Sequence, residues 1–232
     1  MGMIRHNVGT TADLMTPQGL LRFSQLLDTL EQDSDCHLLL FEGLGHGRDV
    51  GPVVKLDVDI YRKWEQLFDR VRQLPVATIA LVDGRCTGLH LELALVVDAS
   101  IAVEGSTFEI PEIRMGYLPG MSIFRLAKQV GLGAARRLLL KGETWSATSA
   151  VNNGLIDEMC EPSQAQQRIV GISQQLTAEN ITAVRMGRRL LEESFSTSYE
   201  DGLGHFFAAQ HRCFSVIALS HFGSSTVQEE LR

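Results

Sequence analysis

The sequence predicts an α/β fold in which a largely parallel sheet is followed by a helical C-terminal region. Three observations lead there. Val76 to Val82 is an unbroken apolar, partly β-branched run bounded by Pro75 and Gly84, the pattern of a strand buried on both faces. His37 to Phe41 is a second such run, and helical periodicity fills the space between them, so strand, helix and strand alternate as right-handed crossovers require. From Gln164 to Ser220 the pattern is almost wholly helical, with breaks near Glu179 and Thr197. Two regions follow, a core over residues 1–160 and a helical region over 161–232.

Residues 1–14 show no clear periodicity; they supply either one edge strand or no regular element. Thr16 and Pro17 read as an N-cap and first helical residue, and Leu20, Leu21, Phe23, Leu26, Leu27 and Leu30 follow near helical spacing, an amphipathic helix. A glycine-rich loop from Gly43 to Gly51 leaves the first buried strand; it ends in no G-K-[ST] and opens no G-x-G-x-x-G helix. Asp57 to Gln73 is a helix with Ile60, Trp64, Leu67, Phe68 and Val71 on one face. After the Val76 strand, Asp83-Gly84 turns the chain and Gly88 to Leu95 switches to good helix formers. Ala99 to Val103 is extended again and leads into Phe108 to Ile113. Helices are expected over Ser122–Val130, over Gly133–Leu140 with Gly142 closing it, and from Ser146; Leu155 to Met159 is the closing strand.

At 232 residues, with 44% hydrophobic and 21% charged residues, the chain can bury a substantial core. A net charge of −7 argues against a general nucleic-acid binder. Cys36, Cys86, Cys160 and Cys213 form no C-x-x-C or Cys/His ligand spacing, which suits reduced thiols. No apolar run reaches the ~20 residues of a membrane span and no signal-peptide core opens the chain, so a cytoplasmic protein without membrane partners is expected.

Leu74 to Gly120 carries the chemistry. Glu92 falls in the first helical turn after a glycine, and Glu112 follows Pro111, 20 residues on. Either acid alone reads as an ordinary surface carboxylate. In order along the chain stand Val82-Asp83-Gly84, Gly88, Glu92-Leu93-Ala94, Asp98, Ala102, Phe108 and Pro111-Glu112-Ile113. Gly116, Pro119-Gly120, Arg125-Leu126, Val130-Gly131 and Ala147 through Gly154 to Asp157 continue the series. With these pieces the chain resembles the enoyl-CoA hydratase (crotonase) superfamily from about Thr16 to Cys160, and more weakly beyond.

The resemblance implies a spiral of ββα turns with two roughly perpendicular sheets, and C-terminal helices that cover the active site and make trimer contacts. It makes Glu92 and Glu112 the catalytic acid–base pair. Gly47-Arg48-Asp49 matches the family's G-x-D, so the backbone N–H groups of Arg48 and Leu89 form the oxyanion hole; both side chains are bulkier than the family's usual residues. Gly47, Asp49, Gly88, Tyr61 and Gly120 are the expected substrate-binding positions. Trp64 reads as core, Asp98 as a turn anchor, Glu109 as lying on another face from Glu112, and His90 as structural. The lysines with which relatives meet CoA phosphates are missing, with Glu42 and Gly51 in their stead; Arg48, Lys55 and Arg85 are candidate replacements. That loss also suits an acyl-carrier-protein thioester or polyketide tailoring.

Two N–H groups on the thioester oxygen stabilise the developing enolate, and two carboxyl groups around one water supply base and acid. The implied activity is hydration of an enoyl thioester or the reverse dehydration, with no metal or cofactor. The alternatives are isomerisation through one glutamate, or a non-catalytic binding partner. Leu203, Phe206, Phe207, Phe214, Val216, Ile217 and Leu219 exceed one helix face, so a homotrimer or a dimer of trimers is expected.

Overall fold

The computed structural model describes residues 2–32, 35–46, 57–177 and 181–229. The chain divides into two compact units, Met1–Gln175 and Leu176–Arg232.

In the first unit, β1 (Gly2–Asn7), β2 (Cys36–Leu44), β3 (Ala77–Val82), β5 (Ala99–Val103) and β8 (Glu158–Cys160) form one sheet in that order. Every neighbouring pair is parallel. The first residues thus supply an edge strand. The near-continuous apolar runs of β2 and β3 reflect this topology, since Leu39, Leu40, Phe41, Ile79 and Ala80 have no exposed surface.

Crossovers α2 (Pro17–Gln32) and α3 (Val58–Gln73) join β1 to β2 and β2 to β3. Thr16 caps α2, its Oγ1 accepting from the Gly19 N–H at 3.0 Å, and Asp57 caps α3. Their apolar stripes meet the sheet through a cluster of aromatic rings. Phe23 stacks on Phe41 with centroids 5.8 Å apart, and Trp64 meets the edge of Phe23 at 5.0 Å. Trp64 is core, and its indole N–H donates to the Leu14 carbonyl at 3.2 Å. That bond ties down α1 (Thr11–Leu14), a single turn closed by a Thr10–Asp13 capping box. The sequence reading left α1 unassigned because four residues show no period.

A smaller sheet positions the site. β4 (Arg85–Cys86) and β6 (Thr107–Phe108) run parallel, and β7 (Trp145–Ser146) is antiparallel to β6. Cys86 lies opposite Phe108, so the chain leaves both strands on the same side. From β4 it enters α4 (Gly88–Ala94), and from β6 a 3₁₀ turn, Pro111–Met115.

Beyond Phe108, Pro111 presets φ for the 3₁₀ turn, which Gly116 ends at φ +85°. One expectation needs correcting. Leu155 to Met159 is a strand only from Glu158, because Leu155 and Ile156 close α6 (Ala147–Asn152) by donating to the Ala150 carbonyl. Ser122 to Leu139 runs as one element, α5, but Gly131, at φ +76° and ψ 157°, leaves two helical stretches as read.

The remaining helices are α7 (Ala165–Thr177), α8 (Ile181–Glu193) and α9 (Tyr199–Glu229). The break near Thr197 separates α8 from α9; Glu179 lies outside the described residues. Among the described residues no helix is long and apolar enough to cross a membrane.

Candidate functional site

Glu92 on α4 and Glu112 on the 3₁₀ turn are both buried, at 2% and 4% exposure, and both border one small cavity. Its walls include Thr11, Met15, Tyr61, Leu89, Tyr117 and Pro119. About 20 Å³ is open to the centre of a water, enough to hold one or so. Among the described residues the buried Glu112 Oε2 and Thr11 Oγ1 have no hydrogen-bond partner. Buried polar atoms are seldom left so; a cavity flanked by two of them suits a polar guest.

Two glycines make the approach possible. A Cβ on Gly88, at φ +55°, would stand 3.2 Å from Glu112 Oε1. On Gly120, at φ +63°, it would stand 2.3 Å from Glu92 Oε1 and 2.9 Å from Glu65 Oε1. Both positions therefore combine left-handed backbone with contact to a carboxyl group.

Glu92 is held by groups that the sequence reading did not assign a role. Arg125 on α5 donates from Nη1 to Glu92 Oε2 at 2.8 Å and from Nη2 to Glu65 Oε2 at 2.7 Å. The Met121 N–H donates to Glu65 Oε1 at 2.8 Å. The available signal was spacing: Glu65 stands four residues after Tyr61, on the same face of α3, and Arg125 precedes the buried Leu126. Thr11 and Tyr117 were also missed, having no motif around them.

Burial, then the Glu65 charge, push the Glu92 carboxyl up to about 9, against the pull of Arg125 and the Ser122 N–H. Burial also raises Glu112, opposed by its own backbone N–H and by Arg85 and reinforced by Glu109. Tyr61 is pushed up to about 12 by burial and by Tyr117, Glu112 and Glu92, and burial raises Tyr117 too, so both phenols stay neutral donors.

Between pH 4.5 and about 9 the folded chain holds a proton on Glu92 that the unfolded chain has released. This contribution to stability is complete below 4.5 and is lost as pH rises toward 9. The melting temperature of the parent is therefore expected to fall, relative to Glu92→Gln, as buffers step from mildly acid to alkaline. Parallel curves for the two proteins would refute it.

The other expected residues are distributed as follows. Tyr61, Gly88 and Leu89 line the cavity, and Gly120 abuts Glu92. Leu89 is in the first turn of α4, where backbone N–H groups lack helical acceptors. Gly47, Arg48 and Asp49, and also Lys55, lie outside the described residues. Arg85 is engaged by Glu109, which is not among the residues that line the cavity and also accepts from Thr144. His90 is fully buried: the Gly45 N–H donates to its Nδ1 at 3.2 Å, so Nε2 carries the proton and donates to the Gly9 carbonyl at 2.9 Å. It ties the ends of β1 and β2 to α4. Asp98 accepts from the backbone and side chain of Thr78 at the entry to β5.

Comparison with known proteins places the chain in a family. The enoyl-CoA hydratase/isomerase family profile matches residues 43–223. An enoyl-CoA-hydratase of Amycolatopsis orientalis is 29% identical over 198 residues, 85% of this chain and 90% of that protein. A short-chain-enoyl-CoA hydratase of Clostridium acetobutylicum is 25% identical over 206 residues, covering 84% and 79%. The crystal structure of an enoyl-CoA hydratase from Bacillus anthracis superposes with a TM-score of 0.84 at 19% identity, over 96% of this chain and 93% of that one. Fold, motif order and profile agree: the chain belongs to the enoyl-CoA hydratase/isomerase family.

Proposed function

We propose that the protein adds water to an enoyl thioester, or removes it from a 3-hydroxyacyl thioester, with Glu92 and Glu112 as acid and base. The observation that carries this reading is the water-sized cavity between two buried glutamates, into which Glu112 brings an unpartnered oxygen. Glu92, held neutral, is the proton donor. Glu112 takes a proton from the water as its oxygen adds to the β-carbon, and Glu92 delivers one to the α-carbon. The backbone N–H groups of Arg48 and Leu89 stabilise the enolate between the two steps; one such donor contributes ~3 kcal/mol or more. The thioester is carried by CoA or an acyl carrier protein, and no metal or cofactor takes part.

A second reading rests on the ties of Glu92 to Arg125 and Glu65: with that carboxyl engaged, Glu112 alone would move protons, as in an isomerase. Incubation with a panel of enoyl-CoA and enoyl-carrier thioesters, read by mass, decides between them. Gain of about 18 Da, one water, supports hydration; a shifted double bond at unchanged mass supports isomerisation.

We further propose a homotrimer or a dimer of trimers. Within the second unit Leu203, Phe206, Phe207, Phe214, Val216 and Ile217 are 42% to 60% exposed, more apolar surface than an isolated helix pair normally leaves in water. A monomeric mass by light scattering at micromolar concentration would refute it.

A further inference from the structure

Glu65 is the carboxyl group for which neither the resemblance nor the proposed mechanism has a use. We infer that Glu65 is a positioning and proton-sharing residue: its carboxyl group holds one proton in common with that of Glu92 and connects it to solvent. The inference rests on the hydration reading above for its role in turnover, though not for the shared proton itself.

The N-terminal turn of α5 meets both acids in the same way. The Met121 N–H donates to Glu65 at 2.8 Å, and the next N–H, that of Ser122, favours the Glu92 anion. One arm of the Arg125 guanidinium goes to each. Gly120 removes the side chain that would separate the two Oε1 atoms, which both crowd the place its Cβ would take. The two Oε1 atoms crowd that one point and the two Oε2 atoms share one guanidinium, and two carboxyl groups brought together in this way are relieved of their repulsion by a proton between them. With that proton the two acids and Arg125 are together neutral, the state burial favours.

Exposure gives the arrangement a direction. The Glu92 side chain is 3% exposed and that of Glu65 23%, with Arg125 between at 14%. When Glu92 gives its proton to carbon, the pair becomes two carboxylates on one guanidinium. A proton from water re-enters at Glu65, while the proton that Glu112 took from the added water leaves to solvent, so the cycle closes. The groups facing Glu92 are Glu65 and Tyr61 from α3, Arg125 from α5 and Glu112 across the cavity.

In Glu65→Gln the negative charge that opposes ionisation of Glu92 is gone while Arg125 still donates to Glu92, which stabilises the Glu92 anion. The alkaline limb of the pH–rate profile, whatever its height, is expected to move down by ~1 pH unit or more. A merely structural role would lower the whole profile without moving that limb. Isotope-edited infrared difference spectra of the intact protein test the proton directly. The parent should show the carbonyl stretch of a protonated carboxyl group at about pH 7, absent in Glu92→Gln and titrating at lower pH in Glu65→Gln. Glu65→Asp, whose carboxyl is drawn back by one methylene, repeats the test if the glutamine variant does not fold. A band that titrates at the parent's pH in both Glu65 variants overturns the inference. A parent without turnover that still shows the shared band leaves it standing and removes the hydration reading instead.

Discussion

Glu112→Gln and Glu92→Gln are each expected to slow water addition to a small enoyl thioester by ~10²–10⁴. The reason is geometric. The cavity between the carboxyl groups has room for about one water, so neither residue has a substitute within reach. The losses should not add, because in the proposed reaction base and acid work as one unit and either loss already halts the addition; the double variant should be little slower than the poorer single. Thioester affinity should stay within about tenfold, or ~1.4 kcal/mol, since the proposed reaction assigns binding to apolar walls and backbone donors. Rates and affinities for parent, both singles and the double separate the readings. An isomerase would lose everything with Glu112 and little with Glu92. A full-rate Glu112→Gln protein would remove hydration through this pair.

Much of this site was legible in the sequence, for identifiable reasons. Buried parallel strands announce themselves as unbroken apolar runs, which is why β2, β3 and β5 were readable and the crossover helices with them. Glu92 and Glu112 were readable through the resemblance, since neither stands out from an ordinary surface carboxylate by itself. Glu65, Arg125 and Thr11 were not, because their roles depend on contacts across 33 to 60 residues of chain for Arg125 alone. Apart from its step of four from Tyr61, nothing local distinguishes Glu65 from the other charged residues of α3, such as Asp69. The short elements failed for a related reason: α1 and the two-residue strands β4, β6 and β7 exist only through partners, and two residues have no period to read. Glycines were partly readable. Gly88 and Gly120 belonged to the resemblance, but what each one makes room for emerges only when a carboxyl group from another segment arrives.

Trp64→Ala is expected to be the most destabilising single change among the buried side chains near the site. Trp64 is 1% exposed and packs on Phe23 and Phe68, at centroid distances of 5.0 Å and 5.5 Å, in the core beneath α2 and α3. Removing so large a side chain forfeits its burial and leaves a cavity that the surrounding rings only partly fill, at ~3–5 kcal/mol. For a chain of this size that lowers the melting temperature by roughly 2–4 °C per kcal/mol, about 10 °C in all. The indole N–H adds a second, separable effect, because the Leu14 carbonyl loses its donor. Trp64→Phe keeps most of the volume and loses the bond, so it should cost ~1–3 kcal/mol through an orphaned buried carbonyl. Leu14 ends α1, and α1 presents Thr11 to the cavity. The phenylalanine variant should therefore lose turnover out of proportion to its lost stability, with Thr11 and Met15 no longer fixed beside Glu112. Thermal melts and rates measured on both variants test the two effects apart. A phenylalanine protein with parental turnover would show that the wall formed by α1 keeps its place without the indole.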